Sequence, residues 1–246
     1  MRYFIEFSFD GTNYSGWQKQ KNSVTVQSVL EECLSKLLKN NIKTYGCCRT
    51  DAGVHARQFF AHFDVDNIID VDMIQYKLNL ILPHDIAIKK IFLVNEKIHA
   101  RYSALKRTYV YYLLLNKDPF LIKYSFPVYK YKKLIELKLL EKYCEVIRNT
   151  KDFTSFTKSK GGQKNNICKI YECYFKNNNN LLEFWITSNR FTRGMVRFIV
   201  GTLLKLMIKN APVNELVKII EMKNNKFALQ IVPANGLFLE RVEYTF

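Results

Sequence analysis

Apolar residues alternate with polar ones at the start of the chain and then recur at helical spacing. Tyr3, Ile5, Phe7 and Phe9 share one face of residues 2–10, which is the pattern of a strand. From residue 26 to 38, apolar residues return every three or four positions, which predicts an amphipathic helix. Further periodic segments predict strands at 42–48, 58–66 and 86–94 and a helix at 72–82. The predicted order of this half is therefore βαββαβ.

The second half of the chain repeats this order of elements without repeating the sequence. A strand is predicted at 104–115, a helix at 131–149 and a hairpin at 167–176 with 181–188. A long helix at 191–209, a short helix at 213–223 and a last strand at 237–246 follow. A βαββαβ order is that of a ferredoxin-like unit. We therefore predict an α+β fold in which two ferredoxin-like halves join their antiparallel sheets around a central cleft.

The predicted domains are residues 1–100 and residues 101–246, with a linker near 96–104. Ligands often bind where two domains meet, so the cleft is the expected place for a functional site. A basic, glycine-containing segment at 158–164 predicts a solvated loop. It is either a surface loop without a role or a flap that contacts a polyanion.

The charge balance favours a polyanionic partner. The chain has 38 Lys and Arg against 22 Asp and Glu, a formal charge of +16. Such a field attracts nucleic acid, since binding to phosphates releases counterions. The ordinary alternative is a lysine-rich genome bias. No apolar run approaches the ~20 residues of a membrane span, and Glu6 and Asp10 interrupt the apolar start, so neither a membrane partner nor an export signal is expected.

The six cysteines do not form any CxxC pair, so their spacing indicates neither a zinc site nor a redox motif. Without an export signal, we interpret them as reduced thiols of a cytoplasmic protein.

The candidate chemistry lies in residues 49–56, RTDAGVHA, between two predicted strands. The triplet Arg49-Thr50-Asp51 alone would be explained by a tight turn with a surface ion pair. The whole octet, with a carboxylate beside an arginine in a glycine-containing turn, is more typical of an active-site loop.

This octet resembles the catalytic loop of the bacterial tRNA pseudouridine synthase A family. Other segments resemble the family in the same order along the chain, namely 9–18, 26–27, 99–104, 107–109, 191–201 and 234–239. The likeness therefore spans nearly the whole chain. One departure is visible, because the family usually has glycine before the loop arginine and this chain has Cys48.

The resemblance implies an isomerase of the pseudouridine synthase fold, with a central catalytic cleft, that converts uridine to pseudouridine at positions 38, 39 and 40 of the tRNA anticodon stem-loop. It implies base flipping, no cofactor, no metal and a homodimer. Asp51 matches the nucleophile, and Arg197 matches the arginine that pairs with it and stabilises its charge. Tyr109 matches the tyrosine that stacks on uracil and serves in proton transfer.

Three further arginines are assigned to substrate binding. Arg49 matches the residue that fills the place of the flipped base. Arg193 lies one predicted helical turn before Arg197 and is expected to share its face. Arg101 lies in a stretch, 97–117, that has five Lys or Arg and no acid, as has 190–209. We expect these stretches to form the cleft walls.

Two functions from other classes stay open. A non-catalytic RNA-binding module could use the same kind of sheet, but the aromatic motif typical of such modules is absent. A metal-dependent hydrolase could draw ligands from Asp51, His55, His62, Asp64 and Asp66, but no zincin-type motif is present.

Overall fold

The elements of the first half form in the predicted order, and they do so within one compact unit, Met1–Leu105 with Phe238–Phe246. The computed structural model describes residues 1–158 and 165–245. The elements of the first half are β1 (Arg2–Phe9), α1 (Val26–Leu38), β2 (Tyr45–Gly46), β3 (His55–Asp64), α2 (Val71–Ile81) and β4 (Ile86–Val94). Strand β1 lies between β3 and β4 and is antiparallel to both, and β2 pairs with the other side of β3.

The packing of this unit follows from the alternation seen in the sequence. Phe4, Phe7, Phe59 and Phe63 are completely buried on the sheet, and the apolar stripe of α1 is buried through Leu30 and its neighbours. A capping box starts α1, in which the Thr25 side chain accepts from the N–H of Ser28. The predicted strand 42–48 is reduced to Tyr45–Gly46, while β3 begins at His55, three residues before its predicted start.

The second compact unit is Lys106–Leu237. Its elements are β5 (Lys106–Leu114), β6 (Phe126–Pro127), α3 (Leu137–Asn149), β7 (Ile170–Asn178), β8 (Leu181–Ser188), α4 (Met195–Ile208) and α5 (Val213–Glu221). Strand β8 lies between β5 and β7 and is antiparallel to both, while β6 is a short parallel neighbour of β5. The α+β class with mostly antiparallel sheets is thus confirmed.

Two predicted helices start later than expected. The segment before α3 forms a 3-10 helix, Tyr129–Leu134, and the α-helix begins only at Leu137. Helix α4 begins at Met195 instead of residue 191, because Gly194 precedes it with a left-handed φ of +73°. A residue in that conformation cannot belong to a right-handed helix.

The last strand, β9 (Leu237–Glu243), lies almost wholly in the first unit, whereas the sequence assigned it to a domain 101–246. It pairs in parallel with β3, with Phe238 opposite His55 and Leu239 opposite Ala56. This long-range pairing carries the chain end back to the first unit.

The predicted loop 158–164 falls, after Lys158, outside the described residues. Within residues 1–158 and 165–245, no helix is both long enough and apolar enough to cross a membrane.

Candidate active site

The loop between β2 and β3 presents Asp51 at a tight turn. The N–H of Val54 donates to the carbonyl of Asp51 at 3.2 Å, which closes a four-residue turn. Gly53, the third residue of the turn, has a φ of +76°. Glycine tolerates this conformation because it has no Cβ. The turn therefore fixes the backbone of Asp51, whose side chain is half-buried, while Arg49 is exposed.

A second segment, residues 11–17, supports this loop from within the same unit. The N–H of Trp17 donates to the Thr50 hydroxyl at 3.1 Å, and the N–H of Gly53 donates to the Tyr14 carbonyl at 3.3 Å. Gly16 packs so closely that a Cβ there would lie 2.3 Å from the carbonyl oxygen of Thr50. Two segments that were identified separately in the sequence therefore form one structure around Asp51.

The end of the loop is anchored by a buried histidine. His55 accepts the N–H of Gly11 at Nδ1, at 3.0 Å. The same nitrogen lies 3.0 Å from the Asp10 carboxylate, to which a protonated ring would donate. The ring stacks on Phe238 with centroids 4.4 Å apart. His55 therefore connects the loop to β9 and to residue 11.

The thiols of Cys47 and Cys48, at the start of the loop, lie 3.9 Å apart. None of the six cysteines forms a disulfide bond. Cys48 is half-buried at the position where the resemblance leads one to expect glycine.

Tyr109 lies in the second unit, on β5, opposite Ile186 of β8. It is buried, and its ring meets that of Phe191 edge-to-face, with centroids 5.0 Å apart. Two residues on, the hydroxyl of Tyr111 donates to the carbonyl of Pro233 at 2.9 Å, and burial raises the pKa of Tyr111 well above its usual value. Tyr109 and Tyr111 point to the same face of β5, as alternation requires.

Arg197 lies in the first turn of α4 and is held by a segment that the sequence did not single out. Its Nε donates to the carbonyl of Val232 at 2.8 Å, and the N–H of Val232 donates back to the Arg197 carbonyl at 3.3 Å. Gly201 permits this contact, since a Cβ there would lie 2.3 Å from the carbonyl oxygen of Gln230. The direction of the half-buried Arg197 side chain is thus set by residues 230–232.

The structure corrects the prediction for Arg193. It precedes Gly194, so it lies outside α4 and does not share a helical face with Arg197. Its carbonyl accepts the N–H of Lys158 at 2.9 Å, and its side chain is exposed.

Arg101 lies in the first unit, after β4, and is exposed. Its guanidinium lies 5.9 Å from the ring centroid of Tyr102, within cation–π range. Of the predicted site residues, Asp51, Arg49 and Arg101 belong to the first unit, and the others to the second.

The residues of the alternative metal site do not gather into a ligand set. Across the described ranges, no three His, Cys, Asp or Glu side chains lie together as a metal site requires. Asp64 instead forms a two-bond ion pair with Arg2, with both N–O distances at 2.8 Å.

Comparison with known proteins gives consistent matches. A family model described as tRNA pseudouridine synthase matches residues 6–103 and 150–245. A tRNA pseudouridine synthase A of Bacteroides fragilis is 40% identical, and the alignment covers 99% of this chain and 96% of that protein. The protein of the same name from Azobacteroides pseudotrichonymphae is 39% identical over the same shares. That of Clostridium acetobutylicum is 36% identical, over 98% of each chain.

Proposed function

Because the chain belongs to the tRNA pseudouridine synthase family, we propose that it converts uridine to pseudouridine in tRNA, at positions 38, 39 and 40 of the anticodon stem-loop. The observation that supports this most directly is the half-buried Asp51 at the turn of the loop 47–54, held by residues 11–17. A carboxylate carried by a backbone that is fixed in this way is suited to covalent catalysis.

The reaction is an isomerisation that balances without any other reactant. The bond between the sugar carbon and N1 of uracil breaks, and a bond from the same carbon to C5 forms. The proton of C5 is lost, and N1 gains one. Asp51 forms a transient covalent bond during this exchange, either with C6 of the base or with the sugar carbon, and this bond breaks again so that the carboxylate is regenerated.

Arg197 and Tyr109 act with Asp51 in this proposal. The guanidinium of Arg197, oriented by its bond to Val232, stabilises the negative charge of the Asp51 carboxylate. The ring of Tyr109, oriented by Phe191, stacks on the uracil, and its hydroxyl takes part in removing the proton of C5.

The arginines hold the RNA. Arg49 fills the place of the flipped base, and its exposure suits that role. Arg101 and Arg193, both exposed, contact phosphates.

The chain acts in the cytoplasm as a homodimer. Light scattering at working concentration tests the oligomeric state, and a monomer would refute the dimer.

Asp51→Asn is the deciding variant. We expect it to bind tRNA with nearly the affinity of the wild type and to form no pseudouridine, measured as release of label from C5 of tRNA uridine. The matched control is Asp66→Asn, which removes an exposed acid from the same unit and should keep full turnover. Pseudouridine formation by Asp51→Asn would exclude Asp51 as the nucleophile. A wild type that binds tRNA but does not modify it would instead favour a binding module.

The roles in the second unit have separate tests. Arg197→Ala should lower turnover at nearly unchanged tRNA affinity. Arg197→Lys should restore part of the turnover, because lysine returns the positive charge but not the planar guanidinium.

Tyr109→Phe keeps the ring and loses the hydroxyl, so turnover should fall by ~100-fold or more if the hydroxyl moves the proton. Equal turnover in Tyr109→Phe and wild type would leave Tyr109 with stacking alone.

A further inference from the structure

Four rings of the first unit form a continuous series that ends in two exposed tyrosines. We call this series, Tyr45, His62, His99 and Tyr102, the four-ring ladder. Tyr45 stacks on His62 with centroids 5.0 Å apart, His62 meets His99 edge-on at 4.6 Å, and His99 lies 4.4 Å from Tyr102. His62 is only 1% exposed, whereas Tyr45 is 49% and Tyr102 77% exposed.

The backbone holds the two histidines of the ladder in place. Tyr45 lies opposite His62 in the β2–β3 pair. The N–H of Ala100 donates to Nδ1 of His62 at 3.1 Å, and the N–H of Arg101 donates to Nδ1 of His99 at 3.0 Å. The ladder is thus preformed, and a ligand that stacks on it would lose little of its binding free energy to ordering these side chains.

The charge around the ladder suits an anionic ligand with flat rings. Burial, and then the charge of Arg2, lower the pKa of His62 to about 4, so this ring is neutral at pH 7, and the same two causes lower the pKa of His99. The nearby acids are engaged, since Asp64 pairs with Arg2 and Glu96 lies 3.2 Å from the N-terminal ammonium. Arg101 adds a cation beside the Tyr102 ring.

The ladder lies away from the turn at Asp51, whose carbonyl accepts the N–H of Val54 next to His55. His62 lies seven residues along β3 from His55, where the loop ends, which corresponds to ~23 Å of extended strand. A nucleotide on the ladder would therefore not be the uridine that reacts.

We propose that the four-ring ladder is a second RNA contact, at which an unpaired tRNA base stacks on Tyr102 while Arg101, beside that ring, meets a neighbouring phosphate. Base stacking on an aromatic platform is tolerant of sequence, because every base has a π-face. This inference rests on the proposed function for the identity of the RNA. It goes further by naming a contact remote from the reacting uridine.

The test compares three exposed-tyrosine variants of the full chain. Tyr102→Ala should weaken tRNA binding by about 5-fold or more, with a raised KM and little change in kcat. Tyr102→Phe, which keeps the ring, should bind like the wild type. The matched control is Tyr76→Ala. Tyr76 lies on α2, outside the ladder, and is 66% exposed, so its loss should leave tRNA affinity unchanged.

Salt dependence separates the tyrosine from the arginine. Tyr102→Ala should keep the salt dependence of binding, whereas Arg101→Ala should reduce the slope of log K against log salt by about 1, as loss of a phosphate contact does.

Equal tRNA affinity for Tyr102→Ala and Tyr76→Ala would overturn the proposal, and so would a Tyr102→Phe variant as weak as Tyr102→Ala. Dissociation of a wild-type dimer by Tyr102→Ala, seen in light scattering, would assign the ladder to contact with a second copy instead. Each of these three results could occur with pseudouridine formation intact, so failure of the ladder proposal is distinguishable from failure of the proposed function.

Discussion

Gly16 holds a left-handed backbone, with a φ of +87°, directly against the loop that carries Asp51. A side chain there would be strained by about 1–2 kcal/mol from the backbone conformation. It would also collide with the carbonyl of Thr50, at 2.3 Å. The residue type at this position is therefore set by two independent requirements.

Gly16→Ala should lower both the free energy of unfolding and the turnover, because relief of the collision moves Thr50 and with it Asp51. The control is Gly194→Ala, which also has a positive φ, +73°, but meets its nearest atom only at 3.5 Å. Denaturant unfolding should show a larger loss for Gly16→Ala than for Gly194→Ala. Equal losses would mean that the close approach to Thr50 does not matter.

His62 gives a residue-scale prediction for pH. Burial lowers its pKa from 6.5 to about 4, so the unfolded chain binds the proton more readily than the folded chain. The stability contributed by the neutral ring is complete above pH 6.5 and is lost as the pH falls towards 4.

The stability difference between wild type and His62→Gln should therefore shrink, by ~2 kcal/mol at most, between pH 7 and pH 4.5. Urea unfolding of both proteins at several pH values measures it. A difference that stays constant across this range would show that His62 has an ordinary pKa in the folded protein.

At the scale of elements, helix α4 and the segment 230–232 together position Arg197. The Val232 carbonyl of this segment accepts a hydrogen bond from Arg197, and Gln230 lies against Gly201, one turn further along α4. A side chain at Gly201 would force the segment away, because the atom it meets is backbone.

Gly201→Ala should lower turnover by at least about 10-fold through misplacement of Arg197. Thr202→Val provides the neighbouring control. The buried Thr202 hydroxyl has no hydrogen-bond partner within the part of the chain that the structure describes, so its removal should keep activity and slightly raise stability. If Gly201→Ala kept full turnover, the segment would have no part in orienting Arg197.

At the scale of the whole molecule, the formal charge of +16 governs how tRNA is approached. Binding that neutralises phosphates releases counterions, so affinity must fall as salt rises. We expect the association constant for tRNA to fall by at least about 10-fold between 50 and 200 mM salt. A titration in which affinity is independent of salt would show that the charge serves another purpose.

Local sequence was sufficient for most elements. The alternation of residues 2–10 and the helical spacing of 26–38 predicted β1 and α1 almost to the residue, because each element buries one face of its own side chains. The octet 49–56 identified the candidate loop, since a tight turn and a carboxylate are encoded by adjacent residues. The later start of α4 follows from the left-handed backbone of Gly194, which the helical spacing of apolar residues in 191–209 does not indicate.

Long-range partners could not be predicted in the same way. The return of β9 to β3, the bond from Arg197 to Val232 and the contact of His99 with His62 are long-range, and periodicity does not give such partners. Periodicity describes which face of an element is buried, whereas the partner on that face depends on the packing of all elements together. The amino-acid sequence therefore sufficed to locate the carboxylate, and the folded chain was needed to find what holds it and what lies beside it.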